Sequence, residues 1–365
     1  MHVILEYIAI GLILIFILLL TTQYISLIVT PLAETEAERI TDYTESLMDF
    51  IITYAGDPPD WGSKFTQPNQ FGLYDQNSTG EPYTLNVDKI ARIANGSING
   101  IEYKNPLYVD WQYTAEKLGI KESHGFKIEI KPSAAIDVEI LERNINLDIP
   151  QKIKITAKSF LGTPMPGANI TLYYFIITSL SGDPFEYELF SLSNITRING
   201  ECIIDFGDNL TSLTNQIAFV IVIRTDYFGS TAVEIYSENF EYATVIDGKI
   251  IANCTEIEDD KVAQIVPQVS KTVKNLFFVN ATEESAINEY TVYKLDFVEP
   301  YSYLISFIGY DDSGNQKFFI ALRPPPVDYG YETIPRAAVA CSTKTVYIEG
   351  YSYYIRLCLW RFAQP

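Results

Sequence analysis

The sequence predicts a mainly β protein carried on a long N-terminal transmembrane/stalk helix. The helix comes first, followed by an α+β head unit, a β-sandwich and a C-terminal β-rich unit. Three observations predict this. Residues 7 to 33 carry no formal charge and are almost uniformly apolar. The next twenty or so residues switch to apolar positions spaced by three and four. From Ile153 onward, short β-branched and aromatic runs alternate with turn clusters.

The apolar run begins at Tyr7 and is unbroken through Leu20, and at ~1.5 Å per residue it is long enough to span a bilayer with some tilt. It is too long for a cleaved secretory signal, and no Lys or Arg precedes it. The expected partner is therefore a lipid bilayer through residues 7–30, in a single-pass protein of the cell membrane with its C-terminal part outside. Beyond Pro31, Ile40, Tyr43, Leu47, Phe50, Ile51 and Tyr54 form a helical stripe between acidic residues. Gly56 and Pro58–Pro59 end it. That stripe either packs on the protein's own head or meets neighbouring copies. Pro31 either kinks one helix or starts a second.

The chain has 46 acidic residues against 26 Lys and Arg, a formal charge of −20. This excludes nucleic acid as a partner, because phosphate backbones are bound by clustered cations. Only His2 and His124 offer imidazoles. His124 stands among Glu122, Ser123 and Gly125, a turn rather than a nucleophile elbow. No phosphate-cradling or dinucleotide glycine pattern occurs, so neither enzymatic activity nor a cofactor is expected. Asp311, Asp312 and Asn315, and the acids of 256–260, read as solvated turns rather than calcium loops, since neither follows an EF-hand pattern.

Export is predicted by Asn-x-Ser/Thr sequons at Asn77, Asn95, Asn169, Asn194, Asn209, Asn253 and Asn280. A hairpin is predicted at the end of the chain. If Glu349–Gly350 form a two-residue turn that pairs Ile348 with Tyr351, then seven steps on Cys341 faces Cys358 at a non-hydrogen-bonded pair, where side chains approach closely enough for a disulfide. Cys202 and Cys254 remain as a second candidate bridge with no spacing argument behind it.

Between these ends, Asp88 is expected to cap a helix over 89–93, and Asp110 another from Trp111 to Leu118. Strands are expected at 126–131, 153–157, 170–177, 201–206, 218–224, 232–236, 301–309 and 316–322, with a helix near 260–273. The units are bounded at 1–56, 57–147, 148–246 and 247–365.

Two resemblances add to this. The N-terminal helix running into Gly56-Asp-Pro-Pro-Asp-Trp-Gly62, then Phe71-Gly-Leu73, Tyr83 to Arg92 and Ala115 to Gly119, resembles archaeal type IV pilin-like surface proteins over roughly the first 130 residues. It implies export and, in some members, polymerisation through the helix. Glu6 matches the acidic residue that many pilins carry near the mature N-terminus, where it pairs with a terminal amine. A carboxylate at that position also fits a headgroup region. The basic leader of pilin precursors is not matched. The pattern Gly162-x-Pro-x-Pro-Gly-Ala-x-Ile-Thr-Leu172 resembles immunoglobulin-like repeats of prokaryotic surface proteins, which implies spacing and adhesion. The expected function is a non-enzymatic surface protein, either a pilin-like subunit or envelope component capable of self-assembly, or a tethered adhesin or carbohydrate- or peptide-binding module that displays some of its 26 tyrosines.

Overall fold

The structure is a computed structural model that describes residues 2–78, 82–98, 101–103, 105–179, 186–211, 213, 215–267, 276–335 and 339–362. The side chains of 2–13, 24–37, 98, 102 and 259 lie outside the description.

The backbone is helical over α1 (His2–Thr53). Within it, however, the long apolar helix expected from the sequence is not seen among the described residues, where no helix is long and apolar enough to cross a membrane. The described apolar side chains run from Leu14 to Leu20 and then give way to Thr21, Thr22 and Gln23. The hydroxyls of Thr21 and Thr22 turn back onto the carbonyls of residues 17 to 19. The fold class is accordingly corrected to mainly β. The single-pass localisation falls with the transmembrane element, and so does the bilayer contact drawn through residues 7–30. Glu6 and Tyr7 lie outside the described side chains.

The second half of α1 is amphipathic, as its spacing dictates. Leu47, Met48, Ile51 and Ile52 are buried, while Asp42, Glu45 and Ser46 face outward. Two short helices follow. α2 (Val87–Ile93) is capped by Asn86, whose Oδ1 accepts from Lys89 N at 3.1 Å, two residues earlier than the expected Asp88. α3 (Trp111–Lys117) is capped by Asp110 as expected, with Oδ1 accepting from the amides of Gln112 and Tyr113.

The strands are β1 (Ser97–Ile98), β2 (Ile101–Glu102), β3 (His124–Pro132), β4 (Ala134–Arg143), β5 (Pro150–Ser159), β6 (Asn169–Ser179), β7 (Glu186–Ile195), β8 (Glu201–Asp205), β9 (Ala218–Tyr227) and β10 (Ser230–Ser237). They continue as β11 (Glu241–Tyr242), β12 (Thr244–Ile246), β13 (Lys249–Ala252), β14 (Glu256–Ile257), β15 (Lys261–Ile265) and β16 (Leu276–Ile287). The last six are β17 (Tyr290–Leu295), β18 (Leu304–Tyr310), β19 (Gln316–Leu322), β20 (Val327–Gly330), β21 (Val339–Ile348) and β22 (Tyr351–Arg361). Where a helix was expected near 260–273, residues 261–265 form β15: Val262, Ala263 and Ile265 are all buried in a sheet interior, and tertiary pairing with β16 and β18 overrides any helical preference.

Sheet order explains the sequence patterns. The sandwich packs β10-β9-β6-β7 against β4-β5-β8. Along β6, Ile170, Leu172, Tyr174 and Ile176 face the sandwich interior, while Tyr173, Phe175 and Ile177 join the core shared with α1 and the other sheets. A strand covered on both faces reads as an unbroken apolar run rather than an alternation. Strands β11 to β19 form a nine-stranded sheet that curls around its own core, with Val245, Ile250, Val279, Tyr293, Phe307 and Phe319 all contributing.

The remaining four-stranded sheet, in order β20-β3-β22-β21, joins distant parts of the chain. β3 pairs along its whole length with β22, so that Ile130 faces Ile355. The second half of α1 lies on β21 and β22, and Lys344 forms an ion pair with Asp49. At the β21–β22 turn, Glu349 and Gly350 both take positive φ (48° and 78°), the backbone of a two-residue I′ hairpin. A Cβ on Gly350 would meet the Tyr301 ring at 2.8 Å.

A candidate functional site in the cleft between the sandwich and the closing sheet

The register fixed by that turn brings Cys341 opposite Cys358 with Cα atoms 4.1 Å apart, and the two are disulfide-bonded. The second candidate bridge is corrected. Cys202 sits in the sandwich core and Cys254 in the core of the nine-stranded sheet, each as a buried free thiol pushed up to about 11 by burial. Neither is a reactive thiolate.

Of the sequon asparagines, Asn77, Asn95, Asn169, Asn194, Asn253 and Asn280 are exposed and Asn209 is half-buried. Two already use the amide nitrogen that a glycan would occupy: Asn194 Nδ2 donates to Ile203 O, and Asn280 Nδ2 donates to Asp296 Oδ2, both at 2.8 Å. Leu20 is 50 % exposed. His124 has Nδ1 2.8 Å from Ser123 Oγ, beside the Tyr43 ring. Burial and the Arg361 charge lower its pKa. Asp311 closes its own turn, with Oδ1 accepting from the amides of Ser313 and Asn315 at 2.9 Å. Among the described residues no group of three or more His, Cys, Asp or Glu is placed to hold a metal.

What the sequence did not point to is a cleft of about 1030 Å³ where the open edge of the sandwich meets the closing sheet. Edge strands β4 and β10 form one wall, with Ala135 to Val138 on the first and Glu234 to Tyr236 on the second. β3, β22, the Cys341 end of β21 and the Pro324–Pro326 turn form the other. The rings of Phe160, Tyr236, Tyr303 and Tyr353 line it.

Its charges are unequal in their partners. Glu129 lies 3.4 Å from Lys131 Nζ and 3.6 Å from Arg356, and Asp137 lies 2.6 Å from Lys158. Glu234 makes no ion pair or hydrogen bond among the described residues, and burial pushes its carboxyl up to about 8. Beside it the Tyr303 hydroxyl donates to Val233 O at 2.7 Å, and the buried Tyr353 hydroxyl lies next to that of Tyr303. Residues 129, 160, 234, 303 and 353 come together only through sheet packing, so no sequence spacing signals the site.

Neither a family model nor a curated protein matches the chain. Among solved structures, one concerned with host cell surface retention of a 1.5-MDa bacterial ice-binding adhesin is similar at 10% identity, over 64% of this chain and 87% of that one, with a TM-score of 0.19. A likeness at that score carries no argument about fold or function.

Proposed function

We propose that this chain is a non-enzymatic structural subunit of a cell surface that associates with copies of itself through the N-terminal helix. The observation that carries this is the contrast within α1. Leu14 to Leu20 are seven consecutive large apolar side chains, each between 50 and 63 % exposed, and so cover every face of two helical turns. A helix that is apolar all round is covered by something in its working state. The docked half of the same helix, from Leu47 to Ile52, shows what cover by this protein looks like. Other copies supply the same cover for residues 14–20 in this proposal, which agrees with the pilin-like pattern of 56–62. The disulfide and the surface position of the sequon asparagines support an exported setting. The test is the mass of the purified full chain by light scattering, together with negative-stain microscopy. Oligomers or filaments that a Leu14→Lys/Leu18→Lys variant reduces to monomers are the expected result. A monomeric wild type, or assemblies unchanged by the double substitution, would overturn the proposal.

A further inference from the structure

We infer that the cleft between the sandwich and the closing sheet is a binding site for a primary ammonium group, carried by a lysine side chain or a polyamine, with Glu234 as its counter-ion. The argument starts from the partners of the cleft's acids. Glu129 and Asp137 each have a cation within 4 Å, and Glu234 has none among the described residues. A half-buried carboxylate with no donor facing it among the described residues is costly to keep, and the cost is recovered when a ligand supplies both donors and a positive charge.

The surroundings select the class of ligand. Anions are repelled by Glu234 itself and by a chain of net charge −20. A divalent metal needs several oxygen or nitrogen ligands, and among the described residues no cluster of three acids, cysteines or histidines exists to provide them. Neutral polyols can donate hydroxyls but bring no charge to stabilise the ionised acid. An ammonium group meets all the requirements. It has three donors for Glu234 and for acceptors such as the Tyr353 hydroxyl, and its charge is attracted to the ring faces of tyrosines. The volume, about 1030 Å³, leaves room for the chain that carries the amine.

The site is separate from the helix on which self-association is proposed, so either idea fails without the other. The test is calorimetric titration of the full chain at pH 8 with cadaverine, with Nα-acetyl-lysine methylamide, and with 1,5-pentanediol as the neutral isostere. Saturable binding of at least one amine, no binding of the diol, and at least a tenfold loss in Glu234→Gln are expected. The variant Asp208→Asn, at an exposed position outside the cleft, should leave affinity unchanged. The two amines distinguish a polyamine site from a lysine site. Should Glu234→Gln fail to fold, amide shifts of Val233 to Ile235 in the wild type, caused by amine and not by diol, carry the same information. The proposal is overturned by equal binding of diol and amine, by binding that Glu234→Gln leaves intact, or by a response to cellotetraose with none to either amine.

Discussion

The head around α2 and the sandwich of β4 to β10 build their interiors from opposite materials. In the head, the irregular segment between Gly56 and Asn86 leaves backbone carbonyls inside the protein with no ladder to pair them. Two buried cations serve them. Lys89 Nζ donates to Ala55 O at 2.8 Å and Tyr74 O at 2.7 Å. Arg92 reaches the carbonyls of Leu107, Trp61, Lys64 and Thr66, and the Trp61 indole donates to Gly72 O at 2.9 Å. Both cations are 1 % exposed. In the sandwich the carbonyls pair mostly strand to strand, and the few buried polar side chains are largely hydroxyls, with Thr196 Oγ1 donating to Met165 O and Ser237 Oγ to Phe219 O, both at 2.5 Å, while the buried Arg224 pairs with Asp226 Oδ1 at 2.7 Å. The loop-rich core thus draws six backbone carbonyls onto two cations, whereas the sandwich's buried Arg224 is matched by a carboxylate.

The hardest blow to this contrast is Arg92→Met. It keeps the volume but strands four carbonyls, and a loss of about 4 kcal/mol is expected, because each unserved buried acceptor costs roughly 1–3 kcal/mol and relief of the buried charge returns part of it. Urea denaturation measures it, and a loss under ~1 kcal/mol would mean that the carbonyls find water instead.

A second test uses pH, because the two regions hold buried ionisable groups of opposite sign. Burial pulls Lys89 down to about 8, against the nearby charges of Asp75 and Asp60. Its folded pKa lies below its unfolded one, so its cost is present in full below pH 8 and is relieved as pH rises toward 10.5. Glu234 is raised to about 8, so its cost is absent below pH 4.5 and grows as pH rises to 8. Relative to wild type, Glu234→Gln should gain on the order of 2 kcal/mol between pH 5 and pH 8.5. Lys89→Met should lose ground relative to wild type by a similar amount between pH 8 and 10.5. Thermal melts of all three proteins across pH 5 to 10.5 read both slopes, and parallel curves would remove the distinction.

The smallest effect belongs to the sandwich. Tyr174 donates to Pro150 O at 3.1 Å, and Tyr174→Phe should cost about 1 kcal/mol. A loss as large as that of Arg92→Met would show that the sandwich, too, depends on a polar staple.

The same difference governs what could be read in advance. The terminal hairpin was legible down to its disulfide, because a two-residue turn fixes register and a register fixes every facing pair. The sandwich strands β5, β6, β8, β9 and β10 announced themselves by composition. β7 did not, since Glu186 to Ile195 is an edge strand with much of its surface in water. The cap of α2 was misplaced because Asn86 and Asp88 are both good caps. Asp88 instead accepts the Asp247 amide at 3.2 Å, a contact 159 residues away in sequence. The amphipathic half of α1 was legible in part, with Leu47 and Ile51 buried but Tyr43 and Phe50 of the same stripe exposed, whereas the transmembrane element drawn from its apolar half did not survive. The burial of Lys89 and Arg92 had no signal in the sequence, because nothing local tells a cation that it will be surrounded by carbonyls. Glu234 was hidden for a similar reason: in sequence it is one polar position in an alternating strand.

The sheet that joins β3 to β22 also imposes an order of events during synthesis. Both hydrogen-bonding partners of β3 lie in the last forty residues of the chain, with Tyr329 facing Ile128 and Leu357 facing it from the other side. At roughly 5–20 residues per second, a ribosome needs about ten seconds or more to reach β22 after finishing β3. Through that interval β3 has two open edges, while the sandwich, complete by Ser237, already has every strand it needs. The head is thus the first part of the body to be made and the last to be closed, and a chain that stops short of Tyr351 is left with an open β-edge instead of a finished surface.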